Sequence, residues 1–195
     1  MRRSPPSFPI FLRLADKPVL VVGADTEAAA KVPALLECGA RVTVVAPHIP
    51  PGLFPDTVTL SERRFEPSDL TGVWYVVASA GREVNRQVAR AAAERQIFVN
   101  AVDDLEHATA YLGGRVQRGG ITLAISSNGA SPGLVSLIRR GLDAVLPADL
   151  EAWSDVAATE RKRWRRDGTP WGRRVPELLA ALNRLYGLPN QGGSA

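Results

Sequence analysis

The chain is poor in the residues that build covalent or metal-based scaffolds. Its 195 residues include one cysteine, Cys38, and two histidines, His48 and His107. A lone thiol excludes an intramolecular disulfide, and this set is too small for a His/Cys metal cage. No apolar run approaches the roughly 20 residues that a membrane helix requires. The opening MRRSPPSF carries two arginines with no long apolar stretch behind them, so no signal peptide is expected. There is no internal repeat. These absences point to a cytoplasmic protein without a membrane partner.

What is present fits a globular chain, 45% hydrophobic and 23% charged, long enough for one generous domain or a domain with an appendage. The net charge of +4 does not by itself argue for nucleic acid. The positive charge is concentrated in Arg161-Lys162-Arg163-Trp164-Arg165-Arg166. Such a run is either a solvated helix face or a field that attracts a polyanion.

Lys17 to Pro47 organises the rest. Val19 to Val22 forms a continuous apolar strand, Gly23 a turn, the next residues a helix to about Glu37, and Val42 to Val45 a second strand. Thr57 to Arg63 alternates as a third strand, and Val73 to Ala78 is an unbroken apolar fourth. Glu83 to Arg95 reads as an alanine-rich helix and Ile97 to Asn100 as the next strand. Strands alternating with helices predict an α/β open parallel sheet. Beyond Thr109 the pattern changes. Ala110 to Gln117 and Gly120 to Ile125 read as a hairpin or extended arm, and helices follow over Ser131 to Leu146, Asp149 to Arg166 and Val175 to Leu185. Residues 1–7 read as disordered, and the closing QGGSA as a flexible tail.

Three stretches could carry chemistry. The first is the turn after β-strand Val19–Val22. A strand running through glycine into a helix opens a dinucleotide-binding unit, but the frame G-x-G-x-x-G/A holds Gly23, Asp25 and Ala28. The acid that commonly binds a ribose at the end of the second strand is replaced by Ala46-Pro47. The turn is therefore either a dinucleotide site or an ordinary strand-to-helix turn. The second stretch is Asn100-Ala101-Val102-Asp103-Asp104, at a strand end where open α/β sheets bind ligands. One of these acids could be a general base, or could simply cap the following turn. The third, Ser126 to Pro132, is a small polar loop entering a helix. It could present N–H groups to an anion, or serve only as a capped connection.

These pieces, in this order, resemble the precorrin-2 dehydrogenase family, also met as the N-terminal module of siroheme synthase. The resemblance is carried by Phe8-Pro9-Ile10-Phe11, Val21-Val22-Gly23, Lys31, Leu35-Leu36-Glu37 and Gly39 to Pro47. Further along it continues through Trp74, Ala78, Asn85, Val88, Phe98, Asn100, Val102 and Asp103. The most specific block is Leu123 to Ser127 with Gly129, Ser131-Pro132, Leu134 and Ile138-Arg139. The resemblance implies a Rossmann NAD-binding domain over 1–109, a dimerisation arm and helix over 110–146 and a small helical domain over 147–195, in a homodimer. It implies NAD-dependent oxidation of precorrin-2 to sirohydrochlorin and, in some members, insertion of ferrous iron as a second substrate. Asp103 matches the family's catalytic aspartate. The cofactor is expected against Gly23, Ala24, Asp25, Thr26, Ala46, Pro47, Ala78, Ser79 and Val102. The tetrapyrrole is expected against Ser127, Asn128, Gly129 and Ser131.

The sequence departs from the family at Ala24 and Asp25, which replace glycines, at Pro33 inside the first helix, and at Ala110 to Gly114 near the arm. Asp25 is expected to oppose a pyrophosphate, since like charges about 4 Å apart repel by roughly 1 kcal/mol in water and more in a drier site. Pro33 is expected to kink or delay its helix. Alternative readings are a sirohydrochlorin-binding chelatase with impaired NAD binding, and a non-catalytic tetrapyrrole- or nucleotide-sensing module that uses the basic helix to bind nucleic acid; the leading reading has no nucleic-acid partner.

Overall fold

A computed structural model describes residues 7–188. The segments read as a disordered start and a flexible tail lie outside those residues, apart from Ser7. The chain divides into two compact units, residues 1–112 and 113–195.

The first unit is a five-stranded parallel sheet in the order β3-β2-β1-β4-β5. The strands are β1 Pro18–Val22, β2 Arg41–Ala46, β3 Thr59–Glu62, β4 Tyr75–Ala78 and β5 Phe98–Ala101. Two helices, α1 Thr26–Glu37 and α2 Arg82–Glu94, connect strands of this sheet. Because side chains alternate along a strand, the apolar runs supply two cores. Val19, Val21, Val42, Val44 and Val77 meet Ala28, Val32 and Leu35 of α1 on one face. Leu20, Val22, Val45, Val76 and Val99 meet Val88, Ala89 and Ala92 of α2 on the other. The predicted open α/β sheet is the observed one. Its third and fourth strands are shorter than the sequence reading, beginning at Thr59 and Tyr75.

Pro33 does not break α1, which runs unbroken from Thr26 to Glu37. The proline is exposed, so water can satisfy the Ala29 carbonyl that the missing N–H leaves unpaired. Ala28, Val32 and Leu35 hold the helix to the sheet along its opposite side.

The second unit is built on an antiparallel hairpin, β6 Gly114–Arg118 and β7 Ile121–Ile125, joined at Gly119-Gly120. The expected strand from Ala110 begins only at Gly114. A Cβ at Gly113 would stand 2.2 Å from the Ile125 carbonyl oxygen, and one at Gly114 2.7 Å from Val135, so glycine sets how closely this segment approaches its neighbours. Helix α3, Pro132–Val145, packs on the hairpin, while α4, Leu150–Asp167, pairs with α5, Trp171–Leu185. The last helix starts four residues before the expected Val175, directly after Pro170, whose fixed φ of −59° suits the entry to a helix.

The basic run lies on α4 and is partly spent inside the unit. Arg163 reaches Glu177 of α5 at 2.7 Å, the Trp164 indole N–H donates to the same carboxylate at 3.0 Å, and Arg166 pairs with Asp167 at 2.8 Å.

The strand ends of the first unit meet most tightly at Gly23. Its φ is +116°, and a Cβ built there would stand 1.8 Å from the Ser79 carbonyl oxygen beyond β4. The substitution Gly23→Ala is expected to cost about 3 kcal/mol or more, combining a disfavoured φ with a backbone clash. Gly72→Ala (φ +73°, nothing within 4 Å) should cost only about 1 kcal/mol. Urea unfolding of the two variants beside the parent checks the difference, and equal midpoints would refute the proposed crowding.

Candidate functional site

The strand order reverses between β1 and β4, which is where open α/β sheets form their crevice. A cleft of about 470 Å³ opens there, lined by Asp25, Glu27, Ser79, Gly81, Arg82, Asn85, Val102, Asp103 and Asp104. Of the residues expected at the cofactor, Asp25, Ser79 and Val102 line this cleft. Gly23 follows β1 at its base, and Ala24 and Thr26 flank Asp25. Ala78 is fully buried in β4, and Ala46 ends β2 with Pro47 after it, on the other side of β1.

Asp25 does not project freely from the turn. It is the N-cap of α1, its carboxylate accepting the Ala28 N–H at 2.7 Å. Across the switch point the Ser79 hydroxyl donates to the same carboxylate at 3.0 and 3.1 Å, and Ser79 is only 4% exposed. Asp25 thus ties the end of β1 to the end of β4.

The two acids after β5 have separate roles. Asp104 caps the turn: it accepts the His107 backbone N–H at 3.3 Å and meets Nδ1 of the His107 ring at 2.8 Å. The hydrogen bond from His107, aided by its charge and that of Arg82, holds the Asp104 carboxyl below the usual carboxylate range. Asp103 is exposed, has φ +56° and makes no hydrogen bond or ion pair among the described residues. The crevice does not bury it. Of the two adjacent acids, Asp104 is thus the turn cap, and Asp103 is left, among the described residues, as an unpartnered carboxylate lining the cleft.

Asn85 holds this arrangement from below and is 3% exposed. Its side-chain oxygen accepts the Ala80 N–H at 2.9 Å and its amide donates to the Val102 carbonyl at 3.2 Å. It links the loop after β4 to the residue preceding Asp103. From sequence, Asn85 stands out only as part of a family pattern and His107 only as one of two histidines, and neither Glu27 nor Arg82 has a role there. An amide or carboxylate on an otherwise ordinary helix or loop carries no spacing signal. Its partners are backbone groups and side chains that become neighbours only on folding.

In the second unit, Ser127, Asn128, Gly129 and Ser131 form one loop. Ser126 Oγ accepts the Asn128 N–H at 3.1 Å, Ser127 Oγ the Ser131 N–H at 3.0 Å, and the Ser127 carbonyl the Ala130 N–H at 3.0 Å. Ser131 caps α3 by accepting the Leu134 N–H at 3.3 Å. Three amides of this loop, those of Asn128, Ala130 and Ser131, are satisfied internally, as is that of Leu134 in the first turn of α3, so the loop is a capped connection. As acceptors in these bonds, the Ser127 and Ser131 hydroxyls keep their own O–H groups for donation.

The frame of the first unit fits a dinucleotide. Gly23 lets backbone approach backbone where a Cβ would collide, and the cleft lies at the strands' carboxyl ends beside the start of α1. One residue opposes it, because Asp25 brings a carboxylate to the place where the helix N-terminus would meet phosphate. Among the described residues there is no cluster of three or more His, Cys, Asp or Glu able to hold a metal ion, and no helix is long and apolar enough to cross a membrane.

The family model described as "Putative NAD(P)-binding" matches residues 10–114, and that described as "Sirohaem biosynthesis protein central" matches residues 118–144. The chain is 38% identical over 194 residues to Siroheme synthase 3 of Aeromonas hydrophila subsp. hydrophila, covering 96% of this chain and 42% of that protein. It is 40% identical over 184 residues to Siroheme synthase 1 of Aeromonas salmonicida, covering 91% and 39%. The chain thus spans about two fifths of the length of these relatives. Among solved structures, "SirC, precorrin-2 dehydrogenase" superposes with a TM-score of 0.68 at 23% identity, over 89% of this chain and 88% of that one, which shows a shared fold. Two family models in succession cover most of the chain, and it belongs to the precorrin-2 dehydrogenase and siroheme synthase N-terminal module family.

Proposed function

We propose that this chain catalyses the NAD-dependent oxidation of precorrin-2 to sirohydrochlorin, as a cytoplasmic homodimer. The observation that carries the reading is Asp103, an uncommitted carboxylate lining the switch-point cleft in a chain of this family. Bound NAD would supply the hydride acceptor, held by the backbone of the turn at Gly23, Ala24, Asp25 and Thr26, where the Asp25 carboxylate opposes it, and by the strand ends at Ala46, Pro47, Ala78, Ser79 and Val102. Oxidation also releases a proton, and Asp103 is the group to accept it on a carboxylate oxygen. Asp104 is less suited, since both its oxygens meet His107 Nδ1, at 2.8 and 2.9 Å. Asn85 and the Asp104–His107 pair on either side of Asp103 restrict its backbone, which limits the reorganisation needed before proton transfer. Insertion of ferrous iron into the product would draw on the same carboxylate, because pyrrole N–H protons must leave.

The tetrapyrrole is rich in carboxylates. The free O–H groups of Ser127 and Ser131, with Asn128 and Gly129 shaping the loop at φ +52° and +78°, are the proposed donors to it. A partner copy is proposed on α3, none of whose residues is buried. Leu134, Leu137, Ile138 and Val145 are exposed along it, with Leu137 66% accessible.

Two measurements test this reading. Asp103→Asn should lower NADH formation from precorrin-2 and NAD by about 10²–10⁴-fold while leaving the circular dichroism spectrum unchanged. Retained activity would remove Asp103 from catalysis. Leu137→Glu should convert a dimer to a monomer in sedimentation velocity. A variant that sediments like the parent would displace the interface from α3.

A further inference from the structure

We infer that Asp25 sets how tightly this chain holds a dinucleotide, because its carboxylate already fills the anion position that the N-terminus of α1 offers to a pyrophosphate. The inference rests on the dinucleotide reading above. Three observations carry it. The carboxylate accepts the Ala28 N–H at 2.7 Å, one of the amides a phosphate would otherwise meet. It also takes the Ser79 hydroxyl, at 3.0 and 3.1 Å, a donor that stands across the crevice. And it is not balanced locally: Glu27, Asp103 and Asp104 line the same cleft, against Arg82 as the lining cation.

A pyrophosphate entering this crevice therefore meets a like charge and two donors already in use. It must displace the Asp25 carboxylate or settle beside it, and either lowers affinity. Nothing in the local backbone requires an acid. Asp25 has φ −94° and ψ 176°, an extended conformation open to any residue. Serine and asparagine cap helices as well as aspartate does. The acid is thus separable from the fold. Replacing it by a neutral cap should leave α1 intact and free the Ser79 hydroxyl for the phosphates.

The test uses the full chain and calorimetric titration with NAD and, separately, with adenosine, which has no phosphate. Asp25→Ser and Asp25→Asn are each expected to bind NAD about tenfold or more tightly than the parent, with thermal unfolding unchanged within a few degrees and adenosine affinity unaltered. If the parent and both variants bind NAD equally well, the inference falls and the dinucleotide reading stands. If none of them binds NAD, both fall. A parallel gain for adenosine would also overturn the inference, since it would place the effect away from the phosphates.

Discussion

The close approach of β1 and β4 at their carboxyl ends is the constraint on which the first unit depends. Gly23 follows β1 at φ +116°, and the Ser79 carbonyl occupies the space a side chain would need. The backbone is stitched on both sides of this point: the Gly23 N–H donates to the Val45 carbonyl at 2.9 Å, and the Ser79 N–H to the Val22 carbonyl at 2.8 Å. The crevice is thus the end of the sheet's hydrogen-bond ladder. Ser79 and Val102 reach it as the last residues whose N–H groups join that ladder, and Asp25 lies two residues beyond Gly23, which does the same on β1. Buried cores on both faces hold the strands in register, and the register fixes where the crevice lies.

That chain of dependence explains what could be read in advance. The parallel sheet was legible because its central strands had to be largely apolar on both faces, which leaves a nearly continuous signal in Val19–Val22, Val42–Val45 and Val76–Ala78, while the edge strand β3 is mostly exposed. Helix α1 was legible from its place between two apolar strands after a glycine turn, and the exposed Pro33 did not outweigh the packing of Ala28, Val32 and Leu35. The second unit was harder to read. Its strands are set by glycines at 113 and 114 whose close approaches to Ile125 and Val135 are properties of the folded chain. A Gly-Gly pair in sequence marks a break, and here it marks the start of a strand.

The site shows the same division. Its location follows from topology, so the stretches after β1 and β5 could be named from the residues, and Ala78-Ser79 at the end of β4 through the family resemblance. Which acid does what could not be read from two adjacent aspartates. The choice is made by His107, whose ring and backbone engage Asp104 and leave Asp103 uncommitted. The same holds at Asp25. As a residue type in a glycine position it announces repulsion, yet in the fold it caps a helix and bridges two strand ends.

Asp25 and Asp104 thus do one kind of work at the two lips of the cleft. Each turns a carboxylate inward on a local N–H donor and pins the loop that carries it. The effect on ligands differs because of where the donors belong. Asp104 uses a turn amide and a histidine ring that lie outside the anion position, so it organises the loop beside Asp103 without competing for a ligand. Asp25 uses an amide of the first turn of α1, the donor set a pyrophosphate would need. The stabilising cap and the obstacle to phosphate are therefore one hydrogen bond. In a switch-point crevice, a neutral residue at this position separates the two effects, and an acid joins them.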